Sequence, residues 1–450
     1  MNIAYYEKAL YDDHTIPPGL ILPTLVKSPL DSRLDCKLGN YENCAIWTAA
    51  CVLSESLKYA NTGDVTAKRR AAQGVTALQK LHDVTGQPGL IARGYRKTRI
   101  PIECNKITTK GLLWDEDLYW KKKGDSTRQN DEWHQNPDGW RWLGDASKSQ
   151  VFGVTLGYFA YNHYCNPDIE EKQRMGRYLC NIVDGIMDDP EMVLRDVDGK
   201  PTGYGKYSPK VAFGCGGTGP SLLLGMLKLA SSLTGDQKYE NKYYELIFEK
   251  DWLPYLSRGG LALPNKLKFV AAALAPVYFT AKHILKRLST SFGSDDNLVM
   301  LNSFMLHQLE SDKTIRKSLE KESRERYRTM SVIHPENNTN SLLNFLNHAI
   351  TGENDVQLGV EALSRMPQNI QVPVVALKRK SGFGNKIASI LGSRLKPEDW
   401  PVDEYAWRLN FWRRDKWVPQ REGVMQFAPV DRLLAHNLGV HVGAIKSNNL

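Results

Sequence analysis

Residues 42–84 read ENCAIWTAACVLSESLKYANTGDVTAKRRAAQGVTALQKLHDV. Small and apolar residues dominate the first half, whereas charged residues return at helical spacing in the second half, which is typical of a helix with one wet face. Thr62-Gly63-Asp64 separates the two halves. A glycine after a last helical turn supplies a left-handed cap, and an aspartate beside it can open the next helix. The stretch therefore predicts a helical hairpin, with a buried helix over about 42–60 and its partner over 64–84.

The same helix-ending tripeptide recurs along the chain. Thr234-Gly235-Asp236 repeats it, and Glu310-Ser311-Asp312 and Thr351-Gly352-Glu353 hold looser versions. Helical period predicts further pairs over about 145–164 and 168–187, 220–233 and 236–256, 296–309 and 312–328, and 341–350 and 354–365. A last apolar helix near 429–442 would take its outer partner from the N-terminal segment or from 404–412. One hairpin used several times indicates a repeat architecture, with an inner ring of buried helices and an outer ring.

The connections between successive pairs are long, whereas the turns within pairs are short. The long ones cover 85–144, 188–219, 257–295 and 366–428. Connections of this length usually carry function. In a ring of hairpins they would emerge on one face, at the N-termini of the inner helices. No linker divides the sequence, so we predict a single all-α domain over 1–450.

Composition sets broad limits on function. The 450 residues are 42% apolar and 24% charged, which fits a soluble globular protein rather than a disordered one. The net charge of +9 permits an anionic partner, but the basic residues are spread over many segments, and solvated surface is the plainer interpretation. We predict no nucleic-acid partner. Seven cysteines at irregular spacing, without CxxC, and an N-terminus without an apolar signal core favour the cytoplasm. We predict no metal and no cofactor.

One segment has the composition of an interfacial helix. Its apolar run, 269–281, is shorter than the roughly 20 residues that span a bilayer. Basic residues flank the run on both sides, at Lys266, Lys268, Lys282, Lys286 and Arg287. Residues 266–287 are therefore a candidate for peripheral membrane contact. A buried helix is the plainer interpretation of the apolar run.

Four stretches carry a resemblance to a known architecture. They are YENCAIWT at 41–48, TGD at 62–64, HDVTGQPG at 82–89 and WLGDASKSQ at 142–150. Together with the alternating helices, they resemble the six-hairpin glycosidases, and in particular a bacterial group of mostly unassigned function. The resemblance implies an (α/α)6 toroid with long loops on one face. Ser149 stands where the group carries an acid, so no role is transferred to it. The same toroid also hosts lyases, epimerases and isomerases, so the resemblance does not fix the reaction.

The start of the first inner helix is one candidate site. Glu42 could supply one of two catalytic carboxylates, with Tyr41 as a ring-stacking platform and Asn43 and Trp47 as further substrate contacts. A helix N-terminus on a concave face also presents free N–H groups. The alternative is a plain helix start capped by Asn43 or Glu42.

The loop before the second inner helix is rich in aromatic residues. Trp133, His134, Trp140 and Trp142 are predicted to bind substrate, because aromatic faces stack on sugar rings. Asp145 ends this loop and is the leading candidate for a catalytic acid or base. Two alternatives remain open: the tryptophans pin the loop to the protein itself, and Asp145 only caps the helix.

Two further carboxylates precede later inner helices. Asp296 lies before the fourth, and Glu336 with Asn337 before the fifth, although helix capping would explain either. Glycoside hydrolysis needs two carboxyl groups about 5 to 9.5 Å apart. We therefore predict a carbohydrate-active enzyme, a glycoside hydrolase with a small-molecule or oligosaccharide substrate. The alternatives are a lyase, isomerase or cyclase acting on an anionic or lipid-like substrate, and a non-catalytic binding protein.

Overall fold

The computed structural model describes residues 3–22, 24–26, 44–97, 133–209, 217–257, 293–333, 340–353, 356–365, 371–373, 424–426 and 428–446. This part of the chain is mostly helical, which confirms the predicted all-α class. Its helices are α1 Ile3–Asp13, α2 Cys44–Thr62, α3 Val65–Asp83, α4 Lys148–Ala160, α5 Ile169–Asp188, α6 Thr218–Thr234, α7 Gln237–Phe248, α8 Gly293–Leu309, α9 Lys313–Ile333, α10 Ser341–Thr351, α11 Val356–Arg365 and α12 Val430–His441. A π-helical turn, Tyr161–Cys165, extends α4, and a short 3₁₀ helix covers Leu253–Leu256.

The even-numbered helices are buried on all sides over much of their described length. Every residue is buried from 44 to 57 in α2, from 150 to 160 in α4 and from 218 to 231 in α6. The odd-numbered helices bury one stripe, as α5 does with Met175, Leu179, Ile182 and Ile186. This difference confirms the predicted contrast between apolar first helices and charged second helices, and it follows from their hydrophobic pattern.

The buried helices contact one another in chain order. α2 packs on α4, α4 on α6, α6 on α8, α8 on α10 and α10 on α12, and α12 packs on α2 again. Gly153 allows the close approach of α4 to α2, because a Cβ there would lie 2.7 Å from the Ala45 carbonyl carbon. Near the C-terminal ends of their helices, Phe159 of α4 and Phe304 of α8 meet edge to face at 6.3 Å.

The odd-numbered helices lie against the buried ones. α3 packs on α2 and α4, α5 on α6, α7 on α6, α9 on α8 and α10, α11 on α10 and α12, and α1 on α12. The N-terminal segment therefore supplies a partner for the last helix, one of the two predicted possibilities. The other possibility, residues 404–412, lies outside the described residues.

The Thr-Gly-Asp turns have the predicted geometry. Gly63, Gly235 and Gly352 adopt left-handed φ angles of 72°, 73° and 71°. Asp64 and Asp236 then cap the next helices by accepting backbone N–H groups, at 2.8 and 2.9 Å. In the variant 310–312 turn, the Glu310 carboxylate accepts the Asp312 N–H at 2.8 Å, which replaces the threonine hydroxyl used in the other turns.

We expect Gly235→Ala to lower the free energy of unfolding by about 1 kcal/mol, because a Cβ is strained in the left-handed conformation. Gly185 is the matched control, since it lies exposed inside α5 with open space around its Cα. Gly185→Ala should instead stabilise the protein by roughly 0.5 to 1 kcal/mol. Urea unfolding of both variants measures the two shifts, and equal signs would contradict the assignment.

Short strands occupy parts of the long connections and of the segment between α1 and α2, a feature that helical periodicity did not predict. The strands are β1 Thr15–Ile16, β2 Leu20–Ile21, β3 Thr24–Val26, β4 Gly94–Lys97, β5 Trp133–Gln135, β6 Trp140–Leu143, β7 Val193–Arg195, β8 Pro201–Lys206, β9 Gln371–Pro373 and β10 Val424–Gln426. They form four antiparallel sheets, in the orders β1-β2, β3-β10-β9, β4-β6-β5 and β7-β8.

No helix among the described residues is long and apolar enough to cross a membrane. The candidate membrane segment 266–287 lies outside those residues.

Candidate functional site

Arg93 and Asp145 are brought together by the pairing of β4 with β6. Gly94 pairs with Leu143 in this ladder, and the Arg93 N–H donates to the Leu143 carbonyl at 2.8 Å. Arg93 directly precedes β4, and Asp145 follows β6 by one intervening residue. Their side chains are almost fully buried, and Arg93 Nη1 lies 3.9 Å from Asp145 Oδ2. The sheet register therefore places a guanidinium beside a carboxylate in the protein interior.

A second aspartate joins this pair from the β7-β8 hairpin. Asp196 is 6% exposed, and its Oδ2 accepts the backbone N–H of Asp145 at 2.5 Å. In return, Asp145 Oδ1 accepts the backbone N–H of Gly203 in β8 at 2.7 Å. Each carboxylate thus holds the backbone of the other segment. We call Arg93, Asp145 and Asp196 the aspartate cluster.

This cluster lies at the N-terminal ends of two buried helices. The thiol of Cys44, the first residue of α2, donates to the Arg93 carbonyl at 2.6 Å. Asp145 stands shortly before α4, which begins at Lys148 with Ser147 as its N-cap. The prediction that Asp145 opens this helix is therefore wrong. Asp145 adopts a left-handed φ of 56°, and its carboxylate contacts Gly203 of the hairpin and Arg93.

The aromatic residues of the loop pack on the protein itself. Trp142 is 3% exposed and its ring lies 4.3 Å from that of His134, which faces it across the β5-β6 ladder. Trp140 carries the Lys80 ammonium over one face, 3.4 Å from the ring centroid, and meets Tyr95 edge to face. These contacts correspond to the alternative in which the tryptophans pin the loop. They leave the predicted substrate-binding role of these rings without direct support.

Of the other predicted site residues, only Trp47 has a described side chain. Trp47 lies in the first turn of α2 and is 5% exposed within the hydrophobic core. Tyr41, Glu42, Asn43, Glu336 and Asn337 lie outside the described residues. Asp296 belongs to the first turn of α8 and Trp133 to β5, but their side chains are also outside the described part.

Sequence reasoning missed Arg93 and Asp196. Arg93 opens the basic stretch RGYRKTR at 93–99, a composition that favours solvated surface, yet it is 2% exposed. Asp196 opens the sequence Asp-Val-Asp-Gly-Lys at 196–200, which signals only a tight turn. Both residues acquire their place through pairing between segments far apart in the chain.

The chemistry available to the aspartate cluster is that of carboxylates. Arg93 places a positive charge beside the Asp145 carboxylate, an arrangement that base or nucleophile chemistry can use. Among the described residues, no group of three histidine, cysteine, aspartate or glutamate side chains is placed to hold a metal ion.

Comparisons of the chain with known protein families, with curated proteins and with solved structures gave no match.

Proposed function

We propose that the chain is an (α/α)6 toroid, with the even-numbered helices as the inner ring and the odd-numbered helices as the outer ring. Two observations support this arrangement. The buried helices contact one another in chain order, from α2 to α12 and back to α2. The short turns that follow α2, α6 and α10 share one geometry, whereas the long connections lead into the inner helices at their N-termini.

Within this fold, we propose a carbohydrate-active enzyme, a glycoside hydrolase whose active site includes the aspartate cluster. One observation carries the proposal: two buried aspartates and an arginine, drawn from two long connections, meet at the N-terminal ends of α2 and α4. Burying charged groups is costly even when they are paired, so a buried charge cluster that packing alone does not require is a candidate functional site. The resemblance to six-hairpin glycosidases supports the choice of reaction.

The proposed division of roles follows from the local charge. Arg93 stabilises an ionised Asp145, so Asp145 serves as the base or nucleophile, and Asp196 is a positioning residue that holds the Asp145 backbone. The proton donor is then a second carboxylate, for which we propose Glu42, two residues ahead of Cys44 in the sequence. Asp296 and Glu336 are the alternative donors. The substrate is an oligosaccharide or a smaller glycoside.

Activity on a panel of substrates tests this proposal. Purified full-length protein is incubated with aryl glycosides and with neutral and uronic-acid oligosaccharides. We expect release of reducing ends or free aglycone, without the ultraviolet absorbance of an unsaturated sugar. Unsaturated products would indicate a lyase instead, and isomerised sugars an isomerase. Saturable binding without turnover would indicate a non-catalytic binding protein. Each of these outcomes would overturn the hydrolase assignment.

Peripheral membrane contact through 266–287 stays a separate prediction. Co-sedimentation with anionic vesicles tests it, and the variant in which Lys266, Lys268, Lys282 and Lys286 are changed to Glu should remain in the supernatant.

A further inference from the structure

The N-terminal helix α1 is joined to the rest of the fold at a seam between the two ends of the chain. Its apolar face, formed by Ile3, Tyr6 and Leu10, is buried. α1 packs on α12 from the other end of the sequence, and the Arg432 guanidinium of α12 lies 4.5 Å from the centre of the Tyr6 ring. Unlike the two helices of a hairpin, α1 and α12 are not joined by a short turn. The attachment of α1 therefore depends on side-chain contacts.

A buried polar cluster supplies several of these contacts. We call it the Glu55 cluster; it contains Glu7 and Tyr11 of α1, Cys51, Glu55 and Lys58 of α2, and Arg70 of α3. The Tyr11 hydroxyl donates to Glu55 Oε1 at 2.6 Å, and Lys58 Nζ lies 2.6 Å from Glu7 Oε1. The Arg70 guanidinium covers the Tyr11 ring at 3.9 Å and lies 4.0 Å from Glu55 Oε1.

Asp64, the N-cap of α3, lies beside the Glu55 cluster and adds a third carboxylate to its two cations. Lys58 is shared between Glu7 and Asp64, the latter at 3.5 Å, and Arg70 is shared between Glu7 and Glu55. Three carboxylates therefore compete for two cations. Glu55 is the most deeply buried of the three, with a side chain 3% exposed against 16% for Glu7 and 32% for Asp64. Its Oε2 atom is buried without a hydrogen-bond partner among the described residues.

A proton on Glu55 removes the excess negative charge. Burial raises the pKa of Glu55 to about 7, and Glu7 adds to this effect, while Tyr11, Arg70 and Lys58 oppose it. The neighbouring hydroxyl and thiols keep their protons in the same range, and burial also raises the pKa of the Cys165 thiol, which contacts Ser56 of α2. Burial raises the pKa of the Cys51 thiol to about 12 and that of the Tyr11 hydroxyl further still. On α12, burial lowers the pKa of His436.

We propose that protonation of Glu55 fastens α1 to the α2–α3 hairpin, and that loss of this proton loosens the helix. Opening α1 removes the cover formed by Tyr11, so the carboxylate reaches water and recovers its ordinary acidity. The folded group binds its proton more tightly than the opened one. The contribution of Glu55 to the attachment of α1 is therefore largest below the ordinary carboxyl range, falls as the pH rises from about 4.5 to 7, and is constant above that.

Amide hydrogen exchange of residues 3–13 tests this proposal on the full-length protein. Protection factors, corrected for the intrinsic pH dependence of exchange, should fall on the order of a hundredfold between pH 5 and pH 8. Glu55→Gln keeps an acceptor for Tyr11 but cannot ionise, so its protection factors should be independent of pH. The protection of α7 serves as an internal reference for global unfolding.

Two further variants separate the switch from a merely structural role. Asp12→Asn removes a carboxylate from the exposed side of the same helix, where it pairs with Lys8, and should keep the wild-type pH profile. Tyr11→Phe removes a hydroxyl that stabilises the ionised Glu55, so the midpoint of the profile should move to higher pH. If Glu55→Gln does not fold, the direction of the midpoint shift in Tyr11→Phe decides whether Glu55 controls the attachment of α1. A flat wild-type profile, a Gln variant with the wild-type profile, or an unmoved Tyr11→Phe midpoint would overturn the proposal.

Discussion

Replacement of Asp145 with asparagine should lower kcat/KM on a hydrolysed glycoside by about a hundredfold to ten-thousandfold, the usual contribution of a positioned base. Asparagine is the closest substitution available. It can still accept the Gly203 N–H through its side-chain oxygen, and it tolerates the left-handed φ of 56° better than most residues. The backbone should therefore keep its place while the negative charge is lost. Steady-state rates on the substrate found with the panel measure the effect.

The structure adds a condition to this experiment. Asp145→Asn also removes the buried partner of Arg93, so the variant should be less stable, and rates must be measured below its unfolding transition. Asp198→Asn is the matched control, because Asp198 lies in the same hairpin as Asp196 but pairs with Lys200 at the surface. Its activity should stay within about twofold of wild type, as expected for a surface change. A folded Asp145→Asn variant with an unchanged rate would remove Asp145 from the mechanism.

The helices and their turns were predictable because their causes are local. Thr-Gly-Asp at 62–64 and 234–236 contains the whole turn: a glycine for the left-handed position, an aspartate for the next cap and a threonine hydroxyl that accepts the aspartate N–H. The apolar composition of the first helix and the charged composition of the second likewise indicate which helix of each hairpin is buried. Asn166, with a left-handed φ of 48° before Pro167, ends the π-helical turn that extends α4 through an equally local cause.

The aspartate cluster was not predictable in the same way. The sequence predicts Asp145 as a site residue, but at the first position of a helix. That helix begins three residues later, at Lys148. Its neighbours depend on the register of β4 against β6 and on the hairpin that carries Asp196, and short strands of this kind have little periodicity of their own. Arg93 shows how strand pairing can place a residue where its local sequence does not predict it. Its sequence neighbours are basic and suggest a wet surface, whereas strand pairing takes it into the interior.

Replacement of Arg93 should lower the free energy of unfolding more than any other single substitution in the aspartate cluster. We expect Arg93→Met to lower the free energy of unfolding by about 3 to 5 kcal/mol, because it leaves the Asp145 carboxylate buried without the charge that compensates it. Methionine retains much of the volume of the arginine side chain, so cavity formation contributes little. Urea unfolding measures the change. Lys200→Met is the matched control, since Lys200 makes a shorter ion pair, 2.7 Å to Asp198, on the exposed side of the β7-β8 hairpin, and its loss should leave the unfolding midpoint nearly unchanged.

A double-mutant cycle then separates the ion pair from the other contacts of Arg93. In the Arg93→Met/Asp145→Asn variant neither charge remains, so the loss of stability should be smaller than the sum of the two single losses by about 0.5 to 3 kcal/mol. Additive losses would mean that the two side chains do not interact across their 3.9 Å separation. Asp145 would then owe its ionised form to other neighbours, and the base or nucleophile role proposed for it would lose its electrostatic reason. The cycle thus tests, without any substrate, the charge pairing on which the proposed chemistry depends.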